Sequence, residues 1–313
     1  MLVKPVRIGL VGVGKIARDQ HIPALHANPA FVLAACTSRN AKVDGILNFA
    51  TIEDMLEAGQ EIDAVAICTP PQFHYEAAKL ALGKGKHVLL EKPPCTTTLQ
   101  LAHLAELANA AKRTLFQTWH SQHAHGVAPA QRWLKRRKVR GVRVTWKEDV
   151  RQWHPGQTWI WQAGGFGIFD PGINALSILT KIVPDAIFPR SAVLYVPSNC
   201  DAPIAADLEF VTDRGVQISA ALDFRQTGEQ TWDIDIETNE GSLKLSAGGG
   251  ILTIGNEEVP RDPGALESEY QSIYRDFAAL IARGESEVDA RPLQLVADIF
   301  LNAKRIAVEA FEE

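Results

Sequence analysis

A glycine-rich turn at the end of the first apolar run constrains this fold more than any other feature. The turn has the spacing Gly12-x-Gly14-x-x-Ala17. Its first glycine permits a sharp bend, its second lets backbone amides approach a pyrophosphate, and the small Ala17 allows a helix to pack close to the preceding strand. The turn predicts a dinucleotide-binding unit, with a glycine turn of purely structural purpose as the alternative. The predicted cofactor contacts in this turn are Gly12, Gly14, Lys15 and Ile16.

Up to about residue 120, short apolar runs alternate with segments of helical periodicity. Strands that are apolar throughout and separated by helices imply a parallel sheet covered on both faces. The pattern therefore predicts a doubly wound α/β unit of the Rossmann type. The predicted strands are Arg7–Val13, Phe31–Thr37, Asp63–Thr69, His87–Glu91 and Thr114–Trp119, and the clearest helical segments are Gln72–Leu82 and Leu99–Ala111.

The pattern changes after Gln122. A helix is predicted over Gly126–Lys138, followed by a long alternating strand over Val139–Arg151. A loop rich in glycine and tryptophan then covers Gln152–Gly167, and another helix is predicted from about Asp170. Long segments of mixed type, without the regular alternation of the first part, indicate a second domain of α+β character.

Strand-like runs without intervening helices follow, which favours an open, mostly antiparallel sheet. Two helices, Glu267–Ala282 and Pro292–Glu309, are predicted to close the chain. The predicted fold is α/β, with an N-terminal Rossmann domain over residues 1–122 and a C-terminal α+β domain over residues 123–313. The terminal helix is a candidate to pack back on the first domain. The predicted runs are Ala192–Pro197, Ala206–Val211, Val216–Phe224, Trp232–Thr238, Ser242–Ser246 and Ile251–Ile254.

Composition excludes several classes of partner. The 313-residue chain has a formal net charge of −5, which argues against nucleic acid or an anionic membrane surface as the main partner. No stretch of about 20 residues is continuously apolar, so no membrane span is expected. The four cysteines are scattered without metal or redox spacing. Such usage favours free thiols in a reducing cytosol and predicts a cytoplasmic protein.

The end of the second predicted strand bears on the cofactor. A carboxylate about 20 residues after the turn would bind the ribose 2′-hydroxyl of NAD, whereas an arginine suits the 2′-phosphate of NADP. This chain has Thr37-Ser38-Arg39 there and no acidic residue before Asp44. A hydroxyl beside a guanidinium is suited to phosphate binding, so Ser38 and Arg39 predict NADP over strict NAD. A solvated loop arginine is the alternative, which leaves NAD open as a second cofactor.

Two further motifs carry a resemblance to a known family. Glu91-Lys92-Pro93 follows one predicted strand, and Thr69-Pro70-Pro71 ends the strand before it. Together with the glycine turn, these motifs resemble the Gfo/Idh/MocA oxidoreductases over essentially the whole chain. Within that family, the runs 146–156 and 169–174 look like those of the bacterial D-galactose / L-arabinose 1-dehydrogenases. The resemblance implies oxidation of the anomeric carbon of an aldopyranose to a lactone with NAD(P). It also implies cofactor contacts at Thr69, Pro70, His74, Glu91 and Lys92.

The resemblance implies that Lys92 is catalytic. Lys92 follows a strand end, where open sheets place their ligands. Its ammonium could orient the reacting hydroxyl and stabilise negative charge that develops on that oxygen. A solvent lysine held beside a proline is the alternative.

The second predicted catalytic residue is Asp170. Many members of the family have a histidine as proton acceptor four residues after this aspartate, but here the position is Asn174. A carboxamide cannot take a proton, although it can hydrogen-bond sugar hydroxyls. Asp170 is therefore the predicted base, on the same helix face as Asn174. Asp170 could also be a helix N-cap with Pro171 at the first helical position, and Lys92 stays open as the proton acceptor.

The predicted substrate contacts are aromatic and polar, because sugars pack C–H patches on rings and need a fixed polar frame for their hydroxyls. Strand alternation places Trp146, Glu148 and Val150 on one face, with a solvated acid as the alternative for Glu148. Trp119 is predicted to pack in the core. A metal at the histidines from 120 to 125 is not expected. The candidate sugar contacts are Asn174, Glu148, His154, Trp153, His120 and Trp232.

The sequence thus predicts an NAD(P)-dependent aldose 1-dehydrogenase acting on D-galactose, L-arabinose or a similar sugar. The first domain would bind NADP, and the second would bind the sugar and a second copy of the chain through its sheet. A dehydrogenase of another sugar or polyol is one alternative. A non-catalytic NADP-binding regulator is the other.

Overall fold

The computed structural model describes residues 4–59, 61–266 and 268–312. The chain divides into two compact units. The first unit comprises the residues up to His120 together with Leu266–Ala290, and the second comprises Ser121–Ala265 together with the residues from Arg291 onward. Within the described residues, no helix is long and apolar enough to cross a membrane.

The strands and helices follow in chain order. The strands are β1 Val6–Val11, β2 Phe31–Thr37, β3 Leu47–Phe49, β4 Ala64–Ile67, β5 His87–Leu90, β6 Leu115–Gln117, β7 Val139–Lys147, β8 Ile187–Pro197, β9 Ala205–Thr212, β10 Gln217–Asp223, β11 Thr231–Thr238, β12 Gly241–Ser246, β13 Ile251–Ile254, β14 Glu257–Glu258 and β15 Lys304–Val308. The α-helices are α1 Ile22–His26, α2 Ile52–Glu57, α3 His74–Gly83, α4 Thr98–Ala111, α5 Val127–Leu134, α6 Val150–Trp153, α7 Phe169–Ile182, α8 Glu269–Arg283 and α9 Arg291–Asn302.

The first unit contains a parallel sheet in the order β3-β2-β1-β4-β5-β6. Strands β4 and β5 are almost completely apolar and buried, as expected for strands covered on both faces. The order reverses beside β1, so the loops after β1 and β4 meet at the carboxyl edge where such sheets bind ligands. This arrangement confirms the predicted Rossmann fold.

Helix α8 belongs to the first unit although it lies far along the sequence. Tyr270, Ile273, Tyr274 and Phe277 form its buried face and pack in the same apolar cluster as Phe31 of β2. Their spacing puts these side chains on one helix face, so burial of that face holds the helix against the parallel sheet. The proposed division into residues 1–122 and 123–313 therefore needs a correction, because residues 266–290 join the first unit. The returning helix is α8, whereas the terminal helix α9 stays in the second unit.

The second unit contains a mixed sheet in the order β14-β13-β12-β11-β7-β10-β9-β8-β15. Among the described strands of this sheet, only the pairs β7–β10 and β8–β15 are parallel, which confirms the predicted, mostly antiparallel sheet. Helices α5, α7 and α9 pack on one face. Gly172 lets α7 lie close to β10, since a Cβ at that glycine would come within 2.7 Å of the Leu222 side chain.

Several local predictions differ from the structure. Strand β7 ends at Lys147, and the residues from Val150 form the short α6 because the Asp149 carboxylate accepts the Arg151 N–H as a helix cap. The predicted helix over Pro292–Glu309 ends at Asn302, after which β15 pairs as an edge strand with β8. Helix α8 begins at Glu269; Glu267, where it was predicted to start, lies outside the described residues. The short elements β3, α2 and β14 were not predicted.

Candidate active site

The glycine turn after β1 has the conformation that its sequence predicts. Gly12 has a φ of +93°, and a Cβ there would lie 2.9 Å from the Thr69 Cγ2 atom. Only glycine fits this combination of left-handed backbone and close approach. At Gly14, a Cβ would meet no described atom within 4 Å, so the backbone of the turn is accessible. Ala17 is buried at the start of a π-helical segment over Ala17–His21, a distortion that often marks functional sites.

The side chains beside the turn are accessible. Lys15 pairs with Asp19 one helical turn later, and Ile16 exposes apolar surface. Ser38 is half-buried and Arg39 exposed at the carboxyl end of β2. The Thr69 hydroxyl oxygen is buried and has no hydrogen-bond partner among the described residues. A bent backbone that requires glycine, an open second glycine and this unpaired hydroxyl fit a dinucleotide.

His74 connects two loops at the carboxyl edge of the sheet. Its Nε2 lies 2.5 Å from the carbonyl oxygen of Thr69, in the loop that continues to Pro70, and its Nδ1 lies 3.2 Å from that of Pro94. Burial lowers the pKa of His74, opposed by the hydrogen bond to Thr69. The side chain therefore faces backbone carbonyls that flank the predicted cofactor and catalytic loops.

Glu91 is buried and surrounded by donors from three parts of the first unit. Its Oε1 lies 3.1 Å from Nε2 of His21 and accepts hydrogen bonds from the hydroxyls of Tyr270 at 3.0 Å and Thr118 at 3.3 Å. Its Oε2 accepts the backbone N–H of Lys92 at 3.0 Å. Glu91 thus holds the backbone of the predicted catalytic lysine rather than facing solvent.

The electrostatics of Glu91 follow from this arrangement. Burial by itself raises the pKa of the carboxyl group, but the hydrogen bond and charge of His21 outweigh it, together with the charges of His120 and Lys92, and lower the pKa to about 2. Burial raises the pKa of Tyr270, and the Glu91 charge adds to that effect. The phenol therefore stays protonated and able to donate to the carboxylate.

Lys92 and His120 are further predicted site residues of the first unit. Lys92 is half-buried at the end of β5, and the Lys92–Pro93 peptide bond is cis. His120 has its Nδ1 2.6 Å from a carboxylate oxygen of Glu269, and its ring stacks on Tyr270 at 5.8 Å between centroids. Trp119 is buried as predicted, and its indole N–H donates to the carbonyl of Asp289 at 2.9 Å.

In the second unit, a histidine lies between two buried carboxylates. The His154 Nε2 is 3.4 Å from Oε1 of Glu148, and its Nδ1 is 3.8 Å from Oδ2 of Asp170. Both acidic residues are only 4% exposed. Trp232 donates its indole N–H to Oε2 of Glu148 at 2.8 Å. The structure therefore brings together four residues that the sequence could name only one at a time.

The imidazole of His154 is poorly engaged by the protein itself. Its Nδ1 is buried without a hydrogen-bond partner among the described residues, because 3.8 Å to Asp170 is too long for a hydrogen bond. The ring packs edge-on against Phe224 at 5.5 Å between centroids, which fixes its plane. An imidazole held in this way beside two carboxylates can donate, accept or relay a proton for a ligand hydroxyl.

The turn that leads into α7 places Asp170. The helix begins at Phe169, so Asp170 lies in its first turn and is not the N-cap, which corrects that alternative. Asn174 is on the same helix and half-buried.

The turn before α7 has a strained backbone. Phe166 has a φ of +72°, which is a strained value for a bulky residue and one that clusters at functional sites. At Gly165, a Cβ would lie 2.0 Å from the Trp159 carbonyl oxygen, so this tight turn requires glycine.

Aromatic side chains flank this group. Trp153 is 39% exposed and meets Trp232 edge-to-face with 5.2 Å between ring centroids. Trp146, Glu148 and Val150 are all buried, although only Trp146 lies in β7 and Val150 begins α6. Within the described part of the chain, no group of three or more metal-ligating side chains comes together. The second unit thus presents a polar group bordered by aromatic faces, the composition expected of a sugar site.

Comparison with known proteins agrees with this geometry. The Gfo/Idh/MocA family, described as an oxidoreductase family with an NAD-binding Rossmann fold, matches residues 6–118. Galactose 1-dehydrogenase from Pseudomonas fluorescens is 46% identical over 312 residues, and the match covers 99% of each chain. The chain belongs to the Gfo/Idh/MocA oxidoreductase family.

Solved structures extend the likeness of this oxidoreductase. The crystal structure of a D-galactose-1-dehydrogenase from Rhizobium etli superposes with a TM-score of 0.94 at 50% identity, covering 100% of this chain and 99% of that one. A 3-ketoreductase from Actinomadura kijaniata, solved with NADP, shares the fold with a TM-score of 0.83 at 20% identity, covering 97% of this chain and all of that one. The predicted family, enzyme class and nicotinamide cofactor are confirmed.

Several residues around the candidate site residues of each unit were missed in the sequence. His21 and Tyr270 contact Glu91, Tyr274 contacts the other ring nitrogen of His21, and Phe224 packs on His154. The two tyrosines lie four residues apart in a predicted amphipathic helix, a spacing that indicates a shared buried face. Nothing in that spacing shows which carboxylate the hydroxyls reach, because the partner is about 180 residues away.

Proposed function

We propose that this chain is an aldose 1-dehydrogenase that oxidises the anomeric carbon of D-galactose, L-arabinose or a similar aldopyranose to its lactone. The observation that carries the proposal is the placement of His154 between Glu148 and Asp170, bordered by Trp153 and Trp232. The full-length similarity to galactose 1-dehydrogenases supports it. D-Galactose and L-arabinose differ only in the substituent at C5, so one pocket could accept both.

The chemistry divides among named side chains. A bound nicotinamide would accept the hydride from C1. Asp170 would take the proton of the anomeric hydroxyl, with His154 beside it to pass that proton on, while Asn174 hydrogen-bonds a neighbouring hydroxyl. Lys92 would orient the reacting oxygen and stabilise its developing negative charge.

Other side chains would bind the sugar. Glu148, already fixed by Trp232, would accept hydrogen bonds from sugar hydroxyls, and Trp153 would pack on the C–H face.

We propose NADP as the preferred cofactor. The glycine turn and the Thr69 hydroxyl would hold its pyrophosphate region, since backbone amides and hydroxyls are phosphate donors. Ser38 and Arg39 at the end of β2 would contact the 2′-phosphate. Half-buried Ser38 and exposed Arg39 are available for that contact, which supports the preference over NAD.

Turnover tests this proposal directly. The purified protein would be mixed with NADP or NAD and with D-galactose, L-arabinose, D-glucose, galactitol or methyl β-D-galactoside, and reduced cofactor followed by its absorbance. Aldoses with a free anomeric hydroxyl should be oxidised and yield a lactone, whereas the methyl glycoside should not react. Oxidation of galactitol or of the glycoside would indicate another carbon atom as the site. Absence of turnover on every aldose would refute the proposal and favour a regulator.

We also propose a homodimer formed through the second unit's sheet, in a cytoplasmic enzyme. The face opposite α5, α7 and α9 carries half-buried and exposed side chains such as Thr145, Ser219 and Phe188, the last of them 52% exposed. A broad sheet face of this kind is suited to pairing with a second copy. Light scattering coupled to size-exclusion chromatography should give twice the mass of one chain. The free cysteines support a reducing compartment.

A further inference from the structure

The segment of residues 309–312, here called the tail, is hydrogen-bonded to the rest of the second unit by the side chain of Asn199. Asn199 accepts the backbone N–H of Phe311 at 2.9 Å and donates its side-chain amide to the Phe311 carbonyl at 2.8 Å. This two-point contact imitates one rung of a β-ladder. Immediately before the tail, the Val308 carbonyl accepts the N–H of Ser198 at 3.2 Å. The backbone around Phe311 is therefore held in one place.

From this position the tail contacts both ends of the segment 150–161, which carries Trp153 and His154. At the first end, the Arg151 guanidinium lies 4.8 Å from the centroid of the Phe311 ring and donates to the Glu312 carbonyl at 3.2 Å. At the other end, Trp161 packs on the same phenyl ring with 5.0 Å between centroids. One side chain thus joins the two ends of a segment made of two short helical turns, Val150–Trp153 and Thr158–Trp161.

A chain of ring contacts leads from the tail to the candidate sugar site. Trp161 also packs edge-on against Phe224 at 5.8 Å, and Phe224 in turn contacts His154 at 5.5 Å. Close-packed side chains transmit a displacement, because the interior has little free volume. A shift of Trp161 toward space vacated by Phe311 would therefore reach the imidazole through Phe224.

We infer that Phe311 is a positioning residue for the aldose: it fixes the ends of the segment 150–161 and so sets the placement of His154. This inference rests on the proposed function. It does not place Phe311 in contact with the sugar. Its role is to reduce the conformational freedom of the segment that provides the polar group and the aromatic face.

The test compares Phe311→Ala with the wild type in substrate kinetics and in hydrogen exchange. Loss of the ring contacts should raise the KM for D-galactose about tenfold, with kcat reduced less than twofold and the KM for NADP unchanged. Backbone amides of residues 152–161 should exchange faster, while those of β7 and β10 keep their protection. Phe311→Tyr should restore both properties, since it retains the ring.

Two further variants make the result decisive. Asn199→Ala should act in the same direction with a smaller effect, and its effect should not add to that of Phe311→Ala, because both release the tail. Leu301→Ala is the matched control: its side chain is 81% exposed in α9 of the same unit, and it should change neither property. If Phe311→Ala does not fold, Phe311→Leu and Asn199→Ala take its place.

Unchanged KM for D-galactose with unchanged exchange in 152–161 would overturn the inference. A uniform loss of protection across the second unit with unchanged KM would also overturn it, because Phe311 would then stabilise the unit as a whole. Hydrogen exchange requires no turnover. If the wild type oxidised no aldose, the proposed function would fail, whereas the exchange result would still show whether the tail restrains the segment.

Discussion

Each unit of this oxidoreductase buries a carboxylate beside a histidine, but the two pairs differ in how fully they are satisfied. In the first unit, Glu91 lies 3.1 Å from Nε2 of His21, and the other ring nitrogen lies 2.8 Å from the Tyr274 hydroxyl. In the second unit, Glu148 is 3.4 Å from His154, whose Nδ1 has no hydrogen-bond partner among the described residues. The first pair is closed by protein groups, and the second leaves capacity for a ligand.

The difference teaches how similar chemistry serves two purposes. A buried ion pair is retained at low cost only when further hydrogen bonds satisfy its remaining atoms, which Tyr270 and Thr118 do for Glu91 and Tyr274 does for His21. Such a pair fixes what it touches, in this case the backbone of Lys92. An unsatisfied buried nitrogen costs stability, so its persistence at His154 is typical of a group reserved for substrate.

The largest expected effect is on turnover. The closed pair holds the backbone of Lys92, whose ammonium would stabilise negative charge on the reacting oxygen. Lys92→Ala should therefore lower kcat for aldose oxidation about 10³-fold. NADP binding should weaken little, since the proposed interaction is made with the reacting oxygen in the transition state. Steady-state kinetics and a fluorescence titration with NADPH measure the two quantities. Lys79→Ala, at an exposed lysine of α3, is the control. An equal loss in cofactor affinity would contradict the assigned role.

The next largest expected effect is the contribution of the closed pair to the free energy of unfolding. Glu91→Gln removes a carboxyl group whose pKa is about 2 in the folded protein, against an ordinary value of 4.5. A depression of that size corresponds to about 3 kcal/mol of unfolding free energy. This contribution is complete above pH 4.5 and is lost as the pH falls toward 2, because in this range unfolding is accompanied by protonation of the carboxylate and low pH therefore favours the unfolded state.

Urea unfolding between pH 6 and pH 3 measures the expected slope. The unfolding free energy of the wild type should fall toward low pH more steeply than that of Glu91→Gln, so that the two curves approach each other. Glu57→Gln, at an exposed acid paired with Lys84 at 3.2 Å, should stay within about 0.5 kcal/mol of the wild type. Parallel curves for Glu91→Gln and the wild type would show that the neighbours of Glu91 do not lower its pKa.

A matched pair of substitutions sharpens the comparison itself. His154→Phe keeps a ring against Phe224 and removes a nitrogen that lacks a protein partner, so its unfolding free energy should change by less than about 1 kcal/mol. Its kcat/KM for aldoses should nevertheless fall about 10²-fold. His21→Phe leaves Glu91 and Tyr274 without their partner and should cost about 3 kcal/mol or more. Equal stability losses at the two positions would abolish the distinction between a closed and an open pair.

The sequence predicted most of the architecture because its strands and helices are defined by local patterns. The strands of the parallel sheet agree with their predicted ranges to within about two residues, apart from the short edge strand β3, which has little apolar alternation. Strand β15 was mistaken for helix because Lys304–Val308 continues an amphipathic helix without a break in composition. Only its pairing with β8 fixes it as a strand.

Candidate site residues could be named from the sequence, but their partners could not. Lys92, Asp170 and Glu148 were identified by motif and resemblance, whereas the closed network around Glu91 depends on Tyr270, about 180 residues away. Distances of this kind are set by tertiary packing, not by spacing along the chain. The same limit applies to Phe311, which carries no motif and matters only through the rings that it contacts.

The smallest expected effect concerns an exposed charge, where neither kind of buried pair applies. Arg39→Ala should raise the KM for NADP about tenfold through loss of a charge-assisted contact to the 2′-phosphate, and leave the KM for NAD nearly unchanged. Lys42→Ala removes an exposed cation three residues further along the same loop and tests whether general positive potential accounts for the effect. Because solvent screens both positions, the Arg39 effect should shrink at high salt. Equal changes in both KM values for Arg39→Ala, or an equal effect of Lys42→Ala, would argue against recognition of the 2′-phosphate by Arg39.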